Sequence, residues 1–263
     1  MTVADILNPL YSDEVPEIPL VSAPLARVVA QVRFPAIQSI QDQVFVGKFQ
    51  EAIRTLYPRP RKDMMSGFVL GTPTIVSTII WRYVDQEANW IVSLSDNFLS
   101  FETIKYTSRK DFTDRFRFLL EKLAETIGPT HTDRIGLRYV DQVSLSEDES
   151  MAGMLRTEMI GVKEIFGKTH HMISELEGPS KEGGVLVRWG HMPENASHDP
   201  DIMTPIASSS WFLDVDSYKS YESESMPFES AALSALSYQL ATRAYTIFRW
   251  SVTEKFLDRY GRK

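Results

Sequence analysis

The side chains in this sequence that could do chemistry are mainly arginines and carboxylates that recur at even spacings of two or four residues. Arg134 and Arg138 alternate with apolar residues in one run, and Asp214 and Asp216 do so in another. Successive side chains of a strand point to opposite faces of a sheet, so residues of one parity share a face. A guanidinium binds a carboxylate or phosphate through two parallel hydrogen bonds. These runs predict a polar sheet face that carries ion pairs or binds a ligand.

The same alternation extends through the other predicted strands. The residues assigned to the polar face are Arg27, Arg33, Arg82, Glu102, Arg134, Arg138, Arg188, Asp214 and Asp216. One interpretation is a solvated face with cross-strand ion pairs, each worth a few tenths to about 1 kcal/mol. The other is a site for a protein partner, in which the arginines of residues 24–34 and 133–143 bind its carboxylates or other anions. The interleaved acids would repel a polyanion, so nucleic-acid binding is the weaker alternative.

Other combinations of reactive side chains do not build a catalytic or metal site. His170 and His171 are neighbours, so on a strand they point to opposite faces. His191 and His198 belong to a polar segment with acids nearby, which is typical of a solvated loop. The sequence has no phosphate-binding glycine loop, nucleophile elbow or His-Glu-x-x-His motif. We therefore predict no catalytic residues, no metal and no cofactor.

Two similar series of elements must position the polar face. In the first, strands are predicted at 24–34, 67–71, 75–84, 89–95 and 97–105, helices at 41–56 and 109–127, and a loop at 57–62. In the second, strands are predicted at 133–143, 170–177, 185–191 and 208–217, helices at 151–166 and 227–250, and a loop at 192–207. These assignments follow apolar periods of two for strands and 3.6 for helices. The order strand, helix, strands, helix thus occurs twice.

This duplication predicts an α+β fold with two repeated units and antiparallel sheets that carry long helices on one face. Residues 1–23 are expected to form an extended arm, 24–128 the first unit and 129–263 the second. Two arrangements fit the order: separate sheets that each curl around a long helix, or two sheets joined edge to edge into a saddle. The second arrangement hides two sheet edges, which favours it. Its element order resembles that of the TATA-box-binding protein fold.

Composition limits the class of protein. Hydrophobic residues make up 43% and charged residues 24%, which are ordinary globular values. The net charge of −7 disfavours a general nucleic-acid binder. Cysteine is absent, which excludes disulfides and thiolate chemistry. Without a signal-peptide pattern or an apolar run of membrane-spanning length, we expect a soluble protein of the cytoplasm.

Four stretches carry a likeness to known sequences: residues 24–34, 94–106, 134–140 and 248–254. In this order they resemble a bacterial protein family that has a scattered distribution and no assigned activity. The resemblance implies a stand-alone protein of the bacterial cytoplasm, and it supplies no catalytic residues.

Two main hypotheses of function follow. The first is a non-enzymatic protein that binds a protein partner through its polar sheet face or a sheet edge, as the neutralising or regulatory half of a defence or toxin–antitoxin pair. The second is a small-ligand-binding protein or hydrolase. Its pocket would lie between sheet and long helix and be lined by Trp90, Trp189 or Trp211. A homo-oligomer is compatible with either hypothesis.

Overall fold

Strands separated by a few helices make up the part of the chain that the computed structural model describes, residues 8–68, 75–146, 149–161, 170–221 and 226–262. The first half contains β1 (Leu25–Arg33), a 3₁₀ helix (Gln38–Gln41), α1 (Gln43–Ile53), β2 (Arg59–Phe68), β3 (Ile75–Val84), β4 (Trp90–Ser95), β5 (Phe98–Thr103) and α2 (Arg109–Thr126). The second half contains β6 (His131–Thr132), β7 (Arg134–Ser144), α3 (Thr157–Ile160), β8 (Met172–Pro179), β9 (Gly184–Met192), β10 (Ser210–Ser220), β11 (Met226–Pro227), α4 (Ser230–Ser251) and α5 (Glu254–Arg259).

Nine of these strands form one sheet in the order β2-β3-β4-β5-β1-β7-β10-β9-β8, and β11 pairs with β6. The pairs β2–β3, β3–β4, β4–β5, β9–β10 and β8–β9 are antiparallel. The predicted α+β class with a large antiparallel sheet is therefore confirmed. The internal repeat, the proposed domain boundaries and the likeness to the TATA-box-binding protein fold stay predictions.

The predicted loop at 57–62 is wrong, because strand β2 begins at Arg59. Two prolines suggested a loop, since proline cannot donate a hydrogen bond to a neighbouring strand. However, within the described ranges β2 is the last strand at one end of the sheet order and pairs only with β3. A terminal strand tolerates Pro60 because one of its sides has no ladder to complete. Of the strand predicted at 67–71, residues 67 and 68 belong to β2, and the remainder lies outside the described residues.

Two helix boundaries also differ from the prediction. Pro227 does not start the last helix: it lies in β11, and α4 begins at Ser230. The helix predicted at 151–166 is described only as the short α3, and residues 162–166 lie outside the described part. By contrast, α2 begins where its cap predicted it, with the Ser108 hydroxyl accepting a hydrogen bond from Asp111 N at 3.1 Å.

The chain divides into two compact units, of which one comprises residues 29–136 and 219–238. The apolar stripe of α2 forms the centre of its core, and Phe112 and Phe116 are completely buried. Both rings stack on Phe101 of β5, with centroids 5.1 and 6.5 Å away. Trp90 of β4 stacks on Phe101 at 5.3 Å. Trp90 is therefore a core residue of this unit.

The other unit comprises the chain up to Val28, residues 137–218 and the chain from Gln239 onward. In its core, apolar residues of β7, β9 and β10 pack with Ala244 and Ile247 of α4 and with Phe256 and Leu257 of α5. The arm also belongs here, because Leu10, Ile18 and Leu20 pack on this core. No described helix has the combination of length and apolar character that crossing a membrane requires.

Candidate functional site

A bidentate ion pair joins the two strands that carry the strongest sequence signal. Arg138 of β7 donates from Nε to Asp214 Oδ1 at 2.8 Å and from Nη2 to Asp214 Oδ2 at 2.7 Å. Alternation along β7 and β10 places both side chains on the sheet face opposite the core residues Leu137 and Leu213. The predicted parity of Arg138 and Asp214 is the parity that brings them together.

The loop between β9 and β10, residues 193–209, completes this cluster. Asp199 accepts a second bond from Arg138 Nη2 at 2.9 Å, and His198 Nε2 donates to Asp214 Oδ2 at 2.9 Å. The His198 ring stacks on Phe212 of β10, with centroids 4.3 Å apart. We call these four charged or titratable residues, Arg138, His198, Asp199 and Asp214, the ion cluster.

The same loop covers the sheet face that we expected to be open. Met203 is completely buried and packs with Ile202 against Val140 of β7 and Phe212 of β10. The side chains of His198 and Asp214 are only 4% and 2% exposed. Arg138 and Asp214 are therefore shielded from solvent by their own chain. An incoming partner would have to displace residues 193–209 to reach them.

The electrostatics of the cluster favour the charged forms of Asp214 and Arg138. Burial alone would raise the pKa of Asp214, but the hydrogen bonds and charges of Arg138 and His198 outweigh that effect and lower its pKa below the ordinary value. Burial likewise opposes the charged form of Arg138, but its bonds to Asp214 and Asp199 raise its pKa. The carboxylates and the guanidinium thus satisfy one another. Such a network holds a loop in place.

The Asp214–His198 pair resembles the base half of a nucleophilic triad, which needs a hydroxyl or thiol on the other ring nitrogen. That nitrogen, His198 Nδ1, is buried and has no hydrogen-bond partner among the residues that the structure describes. The pair therefore contacts no nucleophile there. His198 and Asp199 could not be predicted as part of this cluster, because no regular spacing connects a loop residue to a strand residue.

Further out on the same face, Arg188 of β9 forms an ion pair with Glu175 of β8. Glu177 of β8 accepts a hydrogen bond from the Tyr218 hydroxyl at 2.7 Å. Arg188 stands opposite Asp214 in the β9–β10 register, so the polar row continues from the ion cluster to β8. Asp216 lies on this face as well and is half-buried.

The remaining predicted face residues belong to other parts of the sheet. Arg82 of β3 forms an ion pair with Asp63 of β2 at 2.7 Å. Arg33 is exposed at the end of β1, whereas Arg27 and Glu102 are half-buried and have interaction partners. The guanidinium of Arg134 lies across Gly136 on its own strand, where a Cβ would be 2.8 Å from Nη1. The predicted set is therefore spread over the sheet.

β8 carries exposed polar and apolar side chains next to one another. Ile173 and Leu176 are 45% and 55% exposed. Glu175 and Glu177 lie between and beside them and are also exposed. At the opposite end of the sheet order, β2 carries Arg59, Pro60, Arg61 and Lys62. The two terminal strands therefore differ in charge and in the position of their one proline, which is the second residue of β2 and the last residue of β8.

The pocket predicted beside Trp90, Trp189 or Trp211 stays a prediction. Trp189 is anchored by its Nε1, which donates to Met159 O at 2.9 Å. Trp211 borders a cleft of about 20 Å³ together with Met151, Met159 and Met172. A volume of this size holds about one water molecule. In the described ranges no three His, Asp or Glu side chains gather closely enough to hold a metal ion.

Comparison with known proteins identifies no relative: no protein family model matches this chain, and no curated protein is similar to it.

Proposed function

We propose that this chain is a non-enzymatic binding protein that holds a protein partner at the acidic end of its sheet. The observation that carries the proposal is the outer side of β8, where exposed Ile173 and Leu176 stand beside exposed Glu175 and Glu177. Terminal strands with exposed apolar residues are templates for pairing with another chain. Adding a strand to such an edge is a common way in which proteins bind extended segments.

The ion cluster supports this location of the binding surface over the one centred on Arg138. Hydrogen bonds join Arg138 to Asp199 and Asp214, and the loop that carries His198 and Met203 covers this part of the sheet face. Glu175 and Glu177 of β8, by contrast, remain accessible. In a bacterial cytoplasm, a protein with this surface would serve as the neutralising or regulatory half of a defence or toxin–antitoxin pair. Its two halves would be structural repeats joined as in the TATA-box-binding protein fold.

Affinity capture from the native host tests the proposal. The tagged protein is compared with a Leu176→Lys variant, which places a charge on the exposed apolar part of β8, and with a Met64→Lys variant on β2. Met64 is a matched control because it is 68% exposed and also lies on a terminal strand. We expect Leu176→Lys to lose a specific partner and Met64→Lys to retain it, with circular dichroism spectra unchanged. If all three proteins recover the partner equally, the binding surface does not lie at β8. If no specific partner is recovered, the chain is not a partner-binding protein.

A further inference from the structure

We propose that the partner of β8 is an extended segment in which basic and apolar side chains alternate, and that it pairs as a tenth strand. This inference rests on the proposed function and adds the chemistry of the partner. It follows from the backbone of β8, from its unbalanced charge and from the comparison with β2.

The backbone of β8 offers an open ladder. Among the described strands, β8 is the last of the sheet order and pairs with β9 alone, from Met172↔His191 to Pro179↔Gly184. In a terminal antiparallel strand, every second residue turns its N–H and C=O away from the neighbour. The only proline of β8, Pro179, is its last residue, so the donors before it are intact. A strand of about eight residues can therefore be added.

The opposite terminal strand lacks these properties. β2 carries Pro60 near its start, together with Arg59, Arg61 and Lys62. Proline and lysine on an edge are the devices by which natural sheets prevent strand addition. β2 has both, whereas the glutamates of β8 bond across the sheet face, to Arg188 and to the Tyr218 hydroxyl. This contrast selects β8 as the edge that accepts a partner.

The charge of β8 indicates what the partner carries. Ile173, Glu175 and Glu177 share one face by alternation, and Leu176 lies on the other. The charge of Glu175 is balanced by Arg188. Glu177 accepts a hydrogen bond from the neutral Tyr218 hydroxyl, and no cation of the described chain pairs with it. An added strand would place its side chains roughly 5 Å from these positions. Lysine or arginine on one face and an apolar residue opposite Leu176 complement this arrangement.

A second copy of the chain is a poorer occupant. Antiparallel pairing of β8 with another β8 would bring the glutamates of both strands onto one face, where like charges opposite each other are destabilising. Pairing of β8 with β2 of another copy would supply basic residues, but Pro60 has no backbone N–H to donate to the added ladder. We therefore commit to a segment of a different protein.

Hydrogen exchange with a defined peptide tests the inference. The probe is a capped nine-residue peptide that alternates lysine and valine, and the control replaces each lysine by glutamate. We expect the lysine peptide to slow exchange of β8 amides while β2 amides stay unchanged, and the glutamate peptide to have no effect. In Glu177→Lys, affinity for the lysine peptide should fall roughly fivefold, as expected for the loss and reversal of one cross-strand ion pair. The affinity of Glu177→Gln for this peptide should lie between those of the wild type and Glu177→Lys. The affinity of Glu121→Lys, a change on the exposed side of α2, should match that of the wild type.

Three results would overturn the inference: equal protection by both peptides, equal protection of β2 and β8, or concentration-dependent protection of β8 without peptide. The last result would identify a second copy as the occupant. These outcomes are separable from failure of the proposed function. If Leu176→Lys abolishes capture of the host partner but the peptides show no charge preference, only the chemistry assigned to the partner is wrong. If Leu176→Lys has no effect on capture, the binding surface itself is wrong.

Discussion

Arg138 and Asp214 form a two-pronged ion pair between β7 and β10, with donor–acceptor distances of 2.8 and 2.7 Å. These strands are neighbours in the sheet, and the pair lies beneath the loop of residues 193–209. The strongest arginine and carboxylate signals of the sequence are therefore partners of each other. Their joint function in the fold is to anchor a loop on the sheet.

Replacing Asp214 by asparagine should strongly destabilise the protein. The change leaves the guanidinium of Arg138 mostly buried with only Asp199 as counter-charge. Removing one partner of a buried pair costs several kcal/mol, and the residual exposure of Arg138 reduces this to roughly 3 kcal/mol. Urea denaturation measures the free energy of unfolding. Glu175→Gln, which breaks a more exposed pair, is the control and should cost less than about 1 kcal/mol.

The effect of Asp214→Asn should also depend on pH. The folded-state pKa of Asp214 is lowered, so its contribution to stability is complete above the unfolded-state pKa of about 3.9. That contribution is lost as pH falls through the lower folded-state pKa. The stability difference between wild type and variant should therefore be constant near neutral pH and shrink in acid. A difference that grows in acid would contradict the charged state assigned to Asp214.

Asp141 of β7 should have the opposite pH dependence. Burial raises its pKa to about 7. Because the unfolded chain releases this proton near pH 3.9, the contribution of Asp141 to stability declines as pH rises from about 4 to about 7. Above that range the cost is roughly 4 kcal/mol. Asp141→Asn should therefore be more stable than the wild type at pH 8 and nearly equal to it at pH 4, as measured by urea denaturation. Equal stability at pH 8 would show that Asp141 is solvated.

Arg243 should be required to hold the N-terminal arm on its unit. Its guanidinium donates to Glu182 Oε2 at 2.8 Å, to Ser12 O at 2.9 Å and to Pro9 O. Arg243→Met keeps the aliphatic part of the side chain but leaves two backbone carbonyls and the mostly buried Glu182 carboxylate without this donor. We expect residues 8–23 to become sensitive to limited proteolysis and the free energy of unfolding to fall by roughly 2 kcal/mol. Arg54→Met, which breaks an exposed pair with Glu51, should leave the arm protected.

Gly190 should be essential for the attachment of β8. A Cβ at this position would lie 1.9 Å from Met172 O, and a backbone atom cannot move aside without breaking the β8–β9 pairing. Gly190→Ala should cost roughly 2–4 kcal/mol and speed up hydrogen exchange in β8. The control is Gly178→Ala within β8 itself, where a Cβ meets nothing within 4 Å. If both variants behave alike, the close approach of β8 and β9 at Gly190 is not a constraint.

Arg138→Glu should disrupt the fold as well as any binding at this position. An arginine on an open sheet face would tolerate charge reversal and lose only its partner. Here a glutamate would stand beside Asp199 and Asp214 in a mostly buried position. Three carboxylates in one desolvated cluster are strongly unfavourable. We expect this variant to unfold or to release the loop, so it cannot test partner binding by itself.

Periodicity in the sequence was enough to predict most elements and the parity of their side chains. The strand at 24–34, the helix at 109–127 and the strand at 208–217 correspond to β1, α2 and β10, and the polar parity of Arg138 and Asp214 agrees with their contact. These features depend on neighbours along the chain, whose spacing is visible in the sequence. The strand at 59–68 was missed because proline is excluded from central strands but allowed at an edge, and position in the sheet is a tertiary property.

The sequence by itself determined an α+β fold and a sheet face on which arginines and acids alternate. Tertiary structure alone decided which of these charges are available to a partner. The loop of residues 193–209 brings Asp199 to Arg138, 61 positions away, and His198 to Asp214, 16 positions away, and no local pattern encodes such contacts. The strand order likewise left β8 at the end of the sheet. Burial of one polar cluster and exposure of the other follow from these long-range contacts.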